Sequence, residues 1–185
     1  MTPLYIGFFT IGTAYQTEVV ECIQTLDAFD LEHEFVGVPN RGSWVRNCAQ
    51  KPEVIRRMQQ KHDGRPLIYL DVDARIRKRP ELFERIPPEI DIGCHFRLGA
   101  ELLSGTLYFG STAAARELVS AWCDLCLAEP TAWDQVQLQK AVQQRNPNVY
   151  RLPPEYVRFF DDPEMGDPVI EHMQASRRLS ATIPA

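Results

Sequence analysis

Apolar positions along this chain come in short runs separated by polar turns, the pattern of strands alternating with helices. Residues 4–9 are mostly apolar and rich in β-formers, which predicts a first strand. After the turn Thr10-Ile11-Gly12-Thr13-Ala14, Thr13 and Gln16 have capping-box spacing and open a helix running to about Ala28. Its Val19, Val20, Ile23 and Leu26 recur at three- and four-residue spacing and form one apolar stripe. Residues 34–38 read as a second strand closed by Pro39, completing a strand-helix-strand unit that implies a parallel sheet.

Residues 40–50 are polar, contain glycine and carry Trp44, Arg46 and Asn47, and read as a loop. Pro52 suits the first turn of a helix that continues through Val54, Ile55 and Met58 to about Lys61, where His62-Asp63-Gly64 breaks it. The run Pro66-Leu67-Ile68-Tyr69-Leu70-Asp71-Val72-Asp73-Ala74 places four apolar residues before two alternate carboxylates. It reads as a buried strand that delivers Asp71 and Asp73 to its carboxyl end, the edge where ligands bind in open α/β sheets. The basic run Arg75, Arg77, Lys78, Arg79 that follows reads as a solvated face.

Residues 90–94 and 104–110 supply a fourth and a fifth strand, the latter starting at Ser104 and Gly105, where a glycine lets a ligand approach the backbone. Residues 113–127 form an amphipathic helix through Leu118, Trp122 and Leu125. Thr131 and Asp134 have capping-box spacing for a further helix to about Gln144, and Asn146-Pro147-Asn148 turns the chain into a short strand over 149–152. Beyond Pro153 the composition shifts to proline, acids and aromatics, with Val169-Ile170-Glu171-His172 the only apolar-led segment before a polar tail.

A chain of 185 residues is expected to be one compact domain over 1–185, burying ~70% of its unfolded surface, with 173–185 as a flexible tail. The formal net charge of -5 and pI near 5.4 argue against a nucleic-acid partner. Five cysteines, an odd and scattered set, suit a reducing compartment, and Cys123 and Cys126 read as small residues in a helix core more than as a zinc or redox pair. Residues 4–9 are too short and lack the basic start of a signal peptide, and no apolar run approaches the ~20 residues of a membrane span. A soluble, cytoplasmic protein is the expectation.

Asp71 and Asp73, alternate on an extended strand, leave the same face with Cα atoms ~6.5 Å apart. Together they suit a divalent cation whose remaining positions are filled by phosphate oxygens, or else they are strand-end acids facing water or pairing with Arg75. Far downstream, His172 follows an apolar pair; two carboxylates, an imidazole and phosphate oxygens suit Mn²⁺ better than Ca²⁺. Arg177 and Arg178 either fold over a diphosphate or belong to a solvated basic tail.

Taken together, Leu70-Asp71-Val72-Asp73-Ala74, Ser104-Gly105-Thr106-Leu107-Tyr108-Phe109, Trp133-Asp134-Gln135 and Ile170-Glu171-His172 resemble, in order and spacing, the DxD-containing nucleotide-diphospho-sugar transferases of the GT-A fold. The resemblance runs from Thr10 to His172 and implies an α/β, Rossmann-like, mixed but mainly parallel sheet flanked by helices. It implies a metal-dependent glycosyltransferase using a nucleoside-diphosphate sugar, with UDP as the first nucleotide to test and Mn²⁺ or Mg²⁺ as cofactor. Asp71 and Asp73 would bind metal and diphosphate, Asp71 also lying near the ribose, and His172 would complete the metal site. Thr10, Thr13 and Tyr15 would lie by the base, and Asn47 and Lys51 by the diphosphate or donor sugar. Ser104 and Gly105 would line the sugar pocket, with Asp134 and Gln135 on sugar hydroxyls near the anomeric carbon. The acceptor would be a carbohydrate, lipid-linked or protein hydroxyl.

Two other readings stand beside it. One is a nucleotide-sugar binding protein without turnover. The other is a haloacid-dehalogenase-like phosphatase using Asp71 as nucleophile and Asp73 as acid/base, with Asp161 and Asp162 as its later acidic pair.

Overall fold

The computed structural model describes residues 2–162 and 166–180. Of the tail expected over 173–185, residues 181–185 lie outside the described set, and Ala175–Ser180 is helical. The chain begins with strand β1 (Leu4–Thr10), helix α1 (Tyr15–Asp27) and strand β2 (His33–Val38), and β1 and β2 pair in parallel as the strand-helix-strand pattern requires. Helices α2 (Trp44–Cys48) and α3 (Lys51–Lys61) then lead into β3 (Leu67–Leu70), which pairs in parallel with the other side of β1. A short β4 (Ala74–Ile76) precedes the hairpin of β5 (Ile92–Arg97) and β6 (Glu101–Phe109). Helices α4 (Ala113–Ala128) and α5 (Asp134–Arg145), strands β7 (Val149–Arg151), β8 (Arg158–Phe159) and β9 (Ile170–His172), and helix α6 (Ala175–Ser180) complete it.

The main sheet has six strands in the order β2-β1-β3-β6-β5-β7. Only β6 runs against its neighbours, pairing antiparallel with both β3 and β5, so the sheet is mainly parallel. The reversal is made at Leu98-Gly99-Ala100, where Leu98 (φ 50°) and Gly99 (φ 77°) adopt the left-handed backbone of a tight turn. A second sheet, in the order β4-β9-β8, sits at the end of β3.

Period-two alternation sorts the core into two layers. Leu4, Ile6, Leu67, Tyr69, Leu107 and Phe109 face a cluster with α3, α4 and α5, while Tyr5, Ile68, Leu70 and Tyr108 face another with α1, Phe83 and Ile170. Burial on both faces explains the near-continuous apolar runs of the central strands, each large side chain contributing roughly 1.5–3 kcal/mol. Trp122 of α4 is fully buried, and its indole N–H donates to the Asp134 carbonyl at 2.9 Å, fixing the start of α5.

Local expectations fail where side-chain patterns mimic one structure and backbone hydrogen bonds make another. Strand β3 ends at Leu70; Asp71 to Ala74 is a turn in which the Ala74 N–H donates to the Asp71 carbonyl at 2.9 Å, so the two acids are not on one extended strand. Residues 44–48 are helical where a loop was expected, because Ser43 caps the helix through the Arg46 N–H. Neither capping box forms. Gln16 instead accepts from the Gly12 N–H at 2.6 Å, and α5 starts from Trp133 with no side-chain cap. Arg75 is buried against Glu18 and Glu21 of α1, leaving only Arg77, Lys78 and Arg79 exposed. Among the described residues no helix is long and apolar enough to cross a membrane.

Candidate active site

The turn at the end of β3 is what assembles the site. The Asp71 N–H donates to the Gly105 carbonyl at 2.8 Å, extending the β3–β6 pairing by one residue, and the chain then turns into β4, where Ala74 pairs with His172 of β9. That non-local pairing sets the His172 imidazole beside Asp73, with Nδ1 3.4 Å from Oδ1. The other ring nitrogen, Nε2, lies 2.8 Å from the Thr106 hydroxyl. Asp73 also accepts the Ala175 N–H at 2.8 Å. Burial alone would raise the Asp73 carboxyl, but the hydrogen bond and charge of His172 and the Ala175 amide hold it below the usual carboxylate value.

Asp71 is the counterpart with the opposite shift. Its Oδ1 accepts from the Tyr69 hydroxyl at 2.8 Å and lies 3.1 Å from the Lys51 ammonium. The side chain keeps 39% of its surface open to the pocket, yet protein encloses it on its other sides. This desolvation pushes its carboxyl up against the pull of Lys51. A Cβ on Gly105 would stand 3.2 Å from His172 Nδ1 and 3.3 Å from Asp71 Oδ2, so glycine is what keeps the wedge between imidazole and carboxylate open.

Lys51, at the start of α3 and only 3% exposed, ties three elements together. Its ammonium lies 3.1 Å from Asp71 Oδ1 and 3.1 Å from Asp134 Oδ2, and it donates to the Ser104 hydroxyl at 3.2 Å. Burial disfavours its charge, but Asp134 and Asp71 outweigh that and raise its pKa. Gln135, beside the 1%-exposed Asp134, accepts the Ser104 N–H at 3.1 Å and donates to Glu101 at 3.1 Å. Asp71 and Asp134 share the Lys51 ammonium while Asp73 faces His172, so three carboxylates stand against one lysine and leave the site with a surplus of negative charge. That surplus and the donors around Gly105 fit a divalent cation chemically. Among the described residues, no three His, Cys, Asp or Glu side chains as they stand form a group that could hold a metal ion.

These residues line a pocket of about 270 Å³. It runs into a smaller one of about 90 Å³ through the shared Trp44, Cys48, Lys51, Asp71, Asp73 and Ser176. Thr10, Tyr15 and Asn47 lie at the smaller end, and Ser104, Gly105, Asp134, Gln135, His172 and Arg177 at the larger. Burial pushes the Tyr15 phenol up to about 12. Thr13 is not on the walls; its hydroxyl donates to the Thr10 carbonyl at 2.7 Å and shapes the turn instead. Asn47 also holds its own loop, accepting the Arg41 N–H at 2.7 Å. Asp161 pairs with Arg177 at 3.6 Å, and neither it nor Asp162 lines the groove. Cys123 and Cys126 are buried free thiols within α4.

Sequence reasoning missed Tyr69 as the donor to Asp71, the tryptophan pair Trp44 and Trp133, and the Arg97–Glu101 ion pair. Only Trp133 carried a signal, its place directly before Asp134-Gln135.

No family model matches the chain, and no curated protein matches it by sequence. Among solved structures it is similar to a glycosyltransferase involved in glycosylation of the major capsid of PBCV-1, with TM-score 0.74 and 14% identity over 97% of this chain and 96% of that one. It is also similar to the galactosyltransferase LgtC in complex with donor and acceptor sugar analogs, with TM-score 0.61 and 12% identity over 98% of this chain and 97% of that one. An active-site glutamine-to-glutamate variant of LgtC gives the same figures, TM-score 0.61 and 12% identity over 98% and 97% of the two chains. The chain therefore has the GT-A glycosyltransferase fold.

Proposed function

We propose that this protein is a glycosyltransferase that moves a sugar from a nucleoside-diphosphate sugar, with UDP as the nucleotide, to an acceptor hydroxyl. The observation that carries the reading is the convergence of Asp71 and Asp73, from the turn after β3, with His172 of β9 beside Gly105, next to the Lys51–Asp134 pair. The fold is shared with LgtC, whose structure holds donor and acceptor sugar analogs.

In this reading the base lies toward Thr10 and Tyr15, and the sugar toward Ser104, Gly105, Asp134 and Gln135. Asp71, Asp73 and His172 would hold Mn²⁺ or Mg²⁺, which supplies charge to stabilise the departing diphosphate. Transfer breaks the bond from the anomeric carbon to the phosphate oxygen, which keeps the electron pair. The acceptor oxygen bonds to that carbon and gives up its proton to the departing diphosphate or to water. Lys51 adds a second fixed cation beside the diphosphate and orients Asp134. Asp134 and Gln135, held by Lys51, Ser104 and Trp122, orient the sugar hydroxyls.

The test is turnover. UDP release from a panel of UDP-sugars with Mn²⁺ is expected, rising when an acceptor is added. Tight nucleotide binding with no release from any UDP-, GDP-, CMP- or dTDP-sugar would favour a binding protein without turnover. Hydrolysis of an aryl phosphate that survives loss of His172 would favour the phosphatase.

A further inference from the structure

The groove continues beyond the donor residues, and the role of its outer half rests on the donor site proposed for the inner one. Its walls there carry Trp133 from the entrance to α5 and the Arg97–Glu101 pair flanking the turn of the β5–β6 hairpin, with Trp44 from the start of α2 beside Trp133 at the junction with the smaller pocket. Trp44 and Trp133 are each 42% exposed, with ring centroids 6.1 Å apart and planes tilted by 48°. Two adjacent half-exposed indoles on a pocket rim are unlike scattered surface apolar residues, and such patches mark a binding surface.

Opposite chemistry stands close by. Arg97 Nε donates to Glu101 Oε2 at 2.9 Å, and its guanidinium lies 5.8 Å from the Phe159 ring centroid. Glu101 Oε1 accepts from Gln135 Nε2 at 3.1 Å, and Gln135 Oε1 accepts the Ser104 N–H at 3.1 Å. One hydrogen-bonded chain thus runs from the donor-sugar pocket to the rim. It ends in a charge-neutral pair with donors and acceptors side by side.

We propose that this outer half of the groove is the acceptor subsite and that it takes a neutral pyranose ring at the end of a glycan. The apolar C–H face of a pyranose stacks on an indole, while its hydroxyls both donate to a carboxylate and accept from a guanidinium. An anionic acceptor meets Glu101 as well as an arginine that is already paired, so the pair does not favour one. The pocket of about 270 Å³ that the outer half shares with the donor residues is on the scale of small sugar-sized groups, whereas a folded protein surface engages a far larger area.

Saturation-transfer NMR tests this directly, with D-glucose, D-galactose, D-mannose, N-acetylglucosamine and lactose offered to the protein with and without UDP and Mn²⁺. Transfer to ring protons of at least one saccharide is expected. Trp133→Ala is expected to weaken that saccharide about tenfold, the scale of one aromatic stacking contact, and Trp133→Phe to restore most of it. Glu101→Ala, at a side chain 38% exposed, is the second variant and is expected to weaken the same saccharide. Thermal stabilisation by UDP with Mn²⁺ is read in parallel, so loss of nucleotide binding, which overturns the donor reading, is separated from loss of saccharide binding. No transfer to any of the five saccharides, or equal transfer in Trp133→Ala and Glu101→Ala, would overturn the acceptor subsite.

Discussion

Replacing Lys51 with methionine leaves Asp71 and Asp134 facing each other without their common cation. In the folded protein the ammonium lies 3.1 Å from a carboxylate on each side, and Lys51 and Asp134 are 3% and 1% exposed. Removing one member of a buried ion pair costs about 3–5 kcal/mol, mostly the penalty of the charge left behind. For a chain of 185 residues, each kcal/mol moves the melting temperature by roughly 2–4 °C, so Lys51→Met should melt about 10 °C below wild type. Urea unfolding of Lys51→Met, Asp134→Asn and the double variant checks the cause. The double variant should be less destabilised than the sum of the single ones, with a coupling of about 1–3 kcal/mol. A Lys51→Met variant within about 0.5 kcal/mol of wild type, or strict additivity in the cycle, would refute the buried triad.

Gly105→Ala places a methyl 3.0 Å from His172 Cε1 and 3.3 Å from Asp71 Oδ2; it should cost about 1–2 kcal/mol of stability and abolish stabilisation by Mn²⁺ with UDP, read by thermal shift. Burial pushes the thiols of Cys22, Cys94 and Cys126 up to about 12 and that of Cys123 up to about 11, so iodoacetamide at pH 7.5 should label these four only after denaturation, as peptide mass spectrometry would show. Hydrogen bonds from Lys61 and His62 lower the Glu34 carboxyl. A carboxyl lowered on folding stabilises the protein above its unfolded pKa, about 4.3 for Glu, and that gain is lost as pH falls through its folded value. Glu34→Gln should therefore flatten the acid limb of a stability-versus-pH curve below about pH 4.3, and an unchanged limb would contradict the ion pair.

Much of this site was legible because its residues come in short runs with strong local grammar. The alternation in residues 67–70 and 107–109 encodes burial on both faces of a central strand, and Asp71, Asp73, Ser104, Gly105, Asp134, Gln135 and His172 do line one pocket. What escaped is set by contacts distant in sequence. Val72 has the β-propensity of a strand residue, so Asp71-Val72-Asp73 mimics a strand. The turn there is fixed by pairing of β4 with β9, with Asp73 and His172 99 positions apart. Arg75 looks like one of four exposed cations until Glu18, 57 positions earlier, is seen beside it. The capping-box spacings at Thr13 and Thr131 describe side chains that can cap, whereas the backbone entering each helix leaves both boxes unformed, Thr13 accepting only the Tyr15 N–H at 3.4 Å. The indole pair on the pocket rim left no joint motif because Trp44, from α2, and Trp133, at the α5 entrance, meet only in the folded chain.

The most direct test of the central claim is calorimetric titration of UDP with and without Mn²⁺ into wild type and Asp73→Asn. Asparagine keeps an oxygen for the Ala175 N–H, which Asp73 accepts at 2.8 Å, but removes the charge. UDP should bind wild type at least tenfold more tightly with Mn²⁺ than without, and Asp73→Asn should lose that difference while remaining folded, with a single cooperative melt below that of wild type. Equal Mn²⁺ enhancement in both proteins, or none in wild type, would contradict a cation shared by Asp71, Asp73 and His172.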